Sequence, residues 1–132
     1  MKVFLDANFL VAAGFKPDGD YNRVLASATD RLVTSDHLLD EVGRNLERLG
    51  REPDEFIVHL RGRMLVTDQF DILPPGLPVE GSGDRQALAE AIGAECDLFV
   101  TSDSDFKALY GQKVKGVLVE RSGTYVRRVL AP

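Results

Sequence analysis

Four carboxylates, Asp6, Glu41, Asp84 and Asp103, stand where a charged side chain needs a partner. Asp6 directly follows the apolar run VFL, and Asp103 comes two residues after LFVT. In open α/β sheets ligands bind beyond the carboxyl ends of the strands, so acids just past two such runs belong on one edge of the sheet. Asp84 precedes Ala87 and Leu88 by three and four residues, at the N-terminal end of the apolar face of a helix. Glu41 flanks the apolar stripe of its own helix, whereas Asp40 points more nearly opposite. An unpaired charge in such places is costly; a helix N-terminus offsets part of the cost and a divalent cation would offset far more. Hard carboxylate oxygens select Mg2+ or Mn2+ over metals that prefer softer ligands, and a partly filled shell leaves waters that a phosphate can displace.

Each acid taken singly has a plainer role. Asp6, Asp84 or Asp105 alone reads as a helix cap, because caps and structural ion pairs are commoner than sites. Four together point to a site. Around them, Asn8 reads equally as a group bracing the ligands or as a polar first-turn residue. Thr101 and Ser102 orient a water or, the plainer alternative, satisfy backbone groups at the strand end; Asp105 stands with them behind the four. His37 and His59 lack the partner spacing of a metal site or catalytic dyad and read as structural. For an anionic ligand the available cations are Arg23, Lys107, Lys113, Lys115, Arg127 and Arg128. Arg44, Arg48 and Arg51 share a helix face and, with Asp40 and Glu47 nearby, read as a solvated, ion-paired surface.

The elements that must position these residues alternate along the chain. VFLD reads as a strand, followed by helical stretches around residues 6–13 and 19–29 and a second strand, RLVT. Asp36 is a suitable N-cap for a helix running to about Leu49, with Leu38, Val42, Leu46 and Leu49 at helical spacing and Gly50 as its stop. A further helix spans roughly residues 53–64. Ser82 can cap a helix from Gly83 to about Ala94, and DLFVT reads as a buried strand. The tail, GVLVE then a turn at Arg121, Ser122 and Gly123 then TYVRRVL, reads as a hairpin or sheet edge. Strands without alternation, separated by helices, imply a three-layer α/β/α sandwich around a central, mainly parallel sheet.

Length and composition agree with one domain spanning residues 1–132. The apolar fraction is 44% and the charged fraction 28%, which excludes disorder and fibrous classes. No internal repeat is visible, and the Pro/Gly-rich stretch LPPGLPVEGSG is short enough for an internal loop. Asp6 interrupts the N-terminal apolar stretch, which therefore lacks the character of a signal or membrane span. With Cys96 the only cysteine there is no internal disulfide, and a reducing cytoplasm is expected. A net charge of −5 speaks against a protein that coats nucleic acid through Lys and Arg, although acids gathered in one metal-binding pocket would account for most of the excess.

The segments LDANFLV, SDHLLDEVGRNL, GDRQALAEAIGAECDLFVTSD and the SDF that follows resemble PIN-domain nucleases, many of which are VapC-like ribonuclease toxins of toxin-antitoxin pairs. The resemblance covers about residues 1–49 and 83–106. It implies a PIN-like fold, with Asp6, Glu41, Asp84 and Asp103 as the catalytic acids that hold Mg2+ or Mn2+. It further implies hydrolysis of phosphodiester bonds in RNA, a small antitoxin partner and a homodimer. Residues 51–80 carry no family motif, and VLVERSGTYVRRVL departs from the ending common in the toxins. Two other readings compete. One is a PIN-like module that binds RNA or protein without cleaving; the other is a magnesium-binding receiver-like domain, which needs paired acids where this chain has DAN.

Overall fold

Val3, Phe4 and Leu5 are buried, as are Leu98, Phe99, Val100 and Thr101, so these strands face protein on both sides. They are β1 (Lys2–Leu5) and β4 (Leu98–Thr101), adjacent and parallel, with Phe4 opposite Phe99. The structure, a computed structural model, describes residues 1–68 and 73–132. Of the motif-free segment at residues 51–80, residues 69–72 thus lie outside the described residues. The other strands are β2 (Arg31–Ser35), β3 (Leu65–Thr67), β5 (Lys113–Val114) and β6 (Val117–Arg121), in the order β3-β2-β1-β4-β6-β5. All pairs are parallel except β5 with β6. This is not the 2-1-3-4-5 order of flavodoxin-like receivers, and that alternative is set aside.

The helices are α1 (Ala7–Phe15), α2 (Asp20–Ser27), α3 (Asp36–Arg48), α4 (Asp54–Arg63), α5 (Ser82–Gly93) and α6 (Ser122–Leu130), with a 3-10 helix at Ser104–Leu109. From β1 to β2 to β3 the chain moves one way across the sheet, and from β3 to β4 it moves back. Right-handed crossovers then place α1 to α4 on one face and α5 on the other. The contacts agree: α1 packs on α2 and α3, and α2 on α6, while α5 lies against β2 and β4. A three-layer α/β/α sandwich results, with Phe9, Tyr21 and Tyr125 clustered under one helical layer and Phe4, Phe99 and Phe106 stacked on the sheet. No helix among the described residues is long and apolar enough to cross a membrane.

Three local expectations are corrected. The residues TYVRRVL form α6, not a strand: Ser122, Tyr125 and Val126 are buried, with Val129 one turn on half-buried, a helical stripe that overrides the strand preference of Val and Tyr. The hairpin lies just upstream, where Lys115 (φ 49) and Gly116 (φ 88) join β5 to β6 through two left-handed residues, a primed turn. The caps fall one residue earlier than expected. Ser35, not Asp36, caps α3, its Oγ accepting from Leu38 N over 3.3 Å. Gly81, not Ser82, holds the cap position of α5, with no side-chain hydrogen bond. Strand β3, only three residues long, was not anticipated.

Candidate metal centre

The sheet order reverses between β1 and β4: the chain leaves β1 toward β2 and leaves β4 toward β6. Such a switch point opens a crevice beyond the carboxyl ends of the two strands. Asp6 and Asp103 stand there. Asp6 caps α1, its Oδ1 accepting from Ala7 N over 2.8 Å and its Oδ2 from the Thr101 hydroxyl over 2.7 Å. It is 7% exposed. Burial pushes its carboxyl up to about 6; the hydrogen bonds from Thr101 and Ala7 pull it down, and the charges of Glu41 and Asp103 raise it.

Thr101 also accepts from Asp103 N at 3.1 Å and Asn8 Nδ2 at 3.4 Å, and Asn8 Oδ1 accepts from Ser102 N at 3.3 Å. Asn8 and Thr101 therefore staple the first turn of α1 to the end of β4. Ser102 takes part through its backbone. Asp103 caps the 3-10 helix, with Oδ1 accepting from Asp105 N over 2.9 Å, and its carbonyl accepts from the Tyr110 hydroxyl over 3.2 Å.

Asp84 lies in the first turn of α5, near the dipole's positive end. Carboxylate oxygens of Asp84, Asp103 and Asp105 fall within 4.8 Å of one another. Asp84 is pushed up to about 7, first by burial, then by a hydrogen bond shared with Asp105, then by the charges of Asp103, Asp105 and Asp6. Carboxylates this close repel one another, and a cation bound among them would offset that repulsion. The donors of the cluster are all hard oxygens, a set suited to Mg2+ or Mn2+. Asp105, expected only behind the four, sits in the acidic cluster itself.

Asp6, Glu41, Asp84 and Asp103 all line one groove of about 520 Å³ between α1 and α3. Its further lining includes Asn8, Val11, Phe15, His37, Arg44 and Arg48. Arg44 and Arg48, expected in a solvated ion-paired surface, thus stand on the groove wall, and neither has an ion pair among the described residues. None of the six cations considered from sequence lines it. Arg23 pairs with Asp20 at 3.1 Å, and Arg128 binds Glu120 through both guanidinium nitrogens. His37 also reaches the groove, with its Nδ1 buried and lacking a hydrogen-bond partner among the described residues. Helical spacing gives each residue's angle on α3, but only the packing of α1 against α3 shows which angle faces the groove.

No family model and no curated protein matches the sequence. Solved structures do match in fold. A chain of VapBC2 from Rickettsia felis, bound to a DNA fragment from its promoter, superposes with a TM-score of 0.63 at 18% identity, covering 92% of this chain and 98% of that one. VapC20 of Mycobacterium tuberculosis, described as a sarcin-ricin loop cleaving toxin, gives 0.60 at 22% identity over 80% of this chain and 93% of its own. A PilT N-terminus domain protein from Sulfolobus solfataricus gives 0.61 at 16% identity over 100% and 96%. This chain therefore has the PIN-like fold of VapC toxins and PilT N-terminus domain proteins, and the resemblance read from the sequence holds for the fold.

Proposed function

We propose that residues 1–132 form a single PIN-like nuclease domain, a metal-dependent endoribonuclease that hydrolyses phosphodiester bonds of RNA. The observation that carries this reading is the convergence of Asp6, Glu41, Asp84 and Asp103 on one groove at the switch point, with Asp6 and Asp84 raised to about 6 and about 7. An RNA substrate is supported by the sarcin-ricin loop cleavage named for one structural neighbour. In this reading Asp6, Glu41, Asp84 and Asp103 hold Mg2+ or Mn2+, with Asp105 beside them. Held there, such an ion would supply Lewis-acid chemistry, activating a water and offsetting charge on the phosphate. Thr101 fixes the Asp6 carboxylate, and Asn8 braces the strand end that carries Asp103. Carboxylates hold a cation in their ionised form, so with the Asp84 carboxyl raised to about 7 the affinity for such an ion would increase with pH.

A role as the toxin of a toxin-antitoxin pair in the cytoplasm, with a small antitoxin covering the groove, extends the same reading; VapBC2 supports it. The test is cleavage of single-stranded RNA by the purified chain in magnesium or manganese, in EDTA, and by Asp84→Asn. Cleavage confined to the parent with metal is expected. Activity that survives EDTA, or equal activity in the variant, would overturn the site. Tight RNA binding without cleavage would favour the non-cleaving module.

A further inference from the structure

The groove continues past its acidic end, and its outer part has a different chemistry. Glu41, Arg44, Asn45 and Arg48 follow one another along the exposed edge of α3 and line the same groove. On a helix, residues three and four apart share a face. With a rise of about 1.5 Å per residue, Arg44 stands about 4.5 Å and Arg48 about 10.5 Å along the axis beyond Glu41. The facing wall, from α1, is Val11, Ala12 and Phe15, the last 42% exposed and with the Arg51 guanidinium over one side of its ring at 5.1 Å from the centroid, which leaves its other side to the groove.

Some arginines elsewhere have partners: Arg61 is paired with Asp36 at 2.9 Å, Arg63 donates to the carbonyls of Leu25 and Ala28, and Arg23 and Arg128 have carboxylates. Arg44 and Arg48, like Arg31, Arg51, Arg85, Arg121 and Arg127, have no ion pair among the described residues, in a chain of net charge −5; what sets these two apart is their place on the groove wall. Two cations one turn apart without a close ion pair among the described residues, Arg44 also bordering Asp40, Glu47 and Asp54 on its far side, stand opposite a largely apolar wall and suit a polymer with evenly repeated anions on one side and flat apolar faces on the other.

The geometry points to a strand-tracking subsite in which Arg44 and Arg48 take backbone phosphates of single-stranded RNA beyond the scissile one, with bases against Val11, Ala12 and Phe15; that the strand is RNA rests on the nuclease reading. A duplex hides its base faces, so the apolar wall selects unpaired nucleotides. An acidic protein segment would satisfy the arginines too, but it offers α1 no row of flat faces.

The test measures binding, not turnover. A labelled single-stranded RNA of about eight nucleotides is titrated, with magnesium, onto Asp84→Asn and onto the same chain carrying Arg44→Gln, Arg48→Gln or both. Salt is varied over about 50 to 200 mM. Each arginine lost is expected to reduce the slope of log affinity against log salt by about 0.7. Arg31→Gln, exposed at the opposite edge of the sheet at the start of β2, leaves it unchanged. Phe15→Leu is expected to weaken binding roughly tenfold with the slope intact. Unchanged slopes in both arginine variants overturn the subsite. So does an affinity for poly-glutamate equal to that for RNA, which would mark an acidic protein partner, and so does failure of Asp84→Asn to bind RNA at all. Reduced slopes in a chain whose parent never cleaves RNA would keep the subsite and remove the nuclease reading. Cleavage by the parent with unchanged slopes would do the reverse.

Discussion

The Thr101 hydroxyl donates to Asp6 Oδ2 over 2.7 Å, joining the end of β4 to the residue that closes β1. The same oxygen accepts from Asp103 N and Asn8 Nδ2, so one side chain ties together two of the acids and the amide that braces them. Thr101→Val keeps the shape and removes every one of these bonds. A buried carboxylate oxygen left unpaired costs about 1–3 kcal/mol, and Asp6 would rise further because a bond that lowers it is gone. Melting should show that loss, and metal-dependent cleavage should fall. Thr101→Ser, which keeps the oxygen, should recover most of both; a serine variant as damaged as the valine one would show that the methyl, not the hydroxyl, matters.

Without metal, stability should decline as pH rises from about 4 to about 7. Asp6 and Asp84 move from 3.8 to about 6 and about 7, so across that window the folded chain binds more protons than the unfolded chain. The slope of unfolding free energy with pH is then negative: the stability is present at the acid end and is lost as pH passes the folded values. Melting in EDTA through this range checks the sign. Asp84→Asn should flatten the decline, and an equally steep decline in that variant would deny Asp84 its raised value.

Glu90, 1% exposed on α5, accepts from Ser35 Oγ at 2.8 Å and Gln86 Nε2 at 3.3 Å, and Ser35 in turn caps α3. The helix that carries Asp84 is thereby fixed to the start of the helix that carries Glu41. Burial raises the Glu90 carboxyl, so its ionised form costs stability as pH increases. Glu90→Gln keeps an acceptor for Ser35 and removes that charge. Its stability relative to the parent should improve with pH, whereas Glu90→Ala should lose about 1–3 kcal/mol through unpaired buried groups. Should the glutamine variant lose as much as the alanine one at neutral pH, the charge itself would be needed.

What the sequence displayed of this site depended on how local each signal was. Asp6 and Asp103 were legible because VFL and LFVT are uninterrupted apolar runs, and a buried strand must end where the first charge stands. Asp84 was legible from its place on the face of Ala87 and Leu88. The caps slipped by one residue because β2 passes into α3 with no loop, so Ser35 is both the last strand residue and the cap. In the tail, Tyr125, Val126 and Val129 favour strand by residue type and helix by spacing, and packing of α6 on α2 and β6 decides for helix. Arg44 and Arg48 read from sequence as a solvated, ion-paired surface and instead line the groove, because which part of α3 faces α1 is a fact of tertiary packing.

Metal binding itself gives the sharpest contrast between convergent ligands and ordinary caps. A ligand held only by the folded chain stabilises it by about 2.7 kcal/mol at a hundredfold excess over its dissociation constant, so manganese should raise the melting temperature of the parent. Asp84 is not the cap of α5, since Gly81 holds that position. In EDTA both Asp84→Asn and Asp84→Ala should therefore melt at or above the parent, as repulsion with Asp103 and Asp105 is relieved. Asp103 does cap the 3-10 helix, through Asp105 N. Asp103→Ala should lose about 1 kcal/mol in EDTA, and Asp103→Asn less, because asparagine caps nearly as well. All four variants should lose most of the manganese response. Melting of the parent and the four variants, with EDTA and with manganese at fixed ionic strength, separates the cases. Lower metal-free stability in all four, with the manganese response intact, would mean that Asp84 and Asp103 hold the chain rather than an ion.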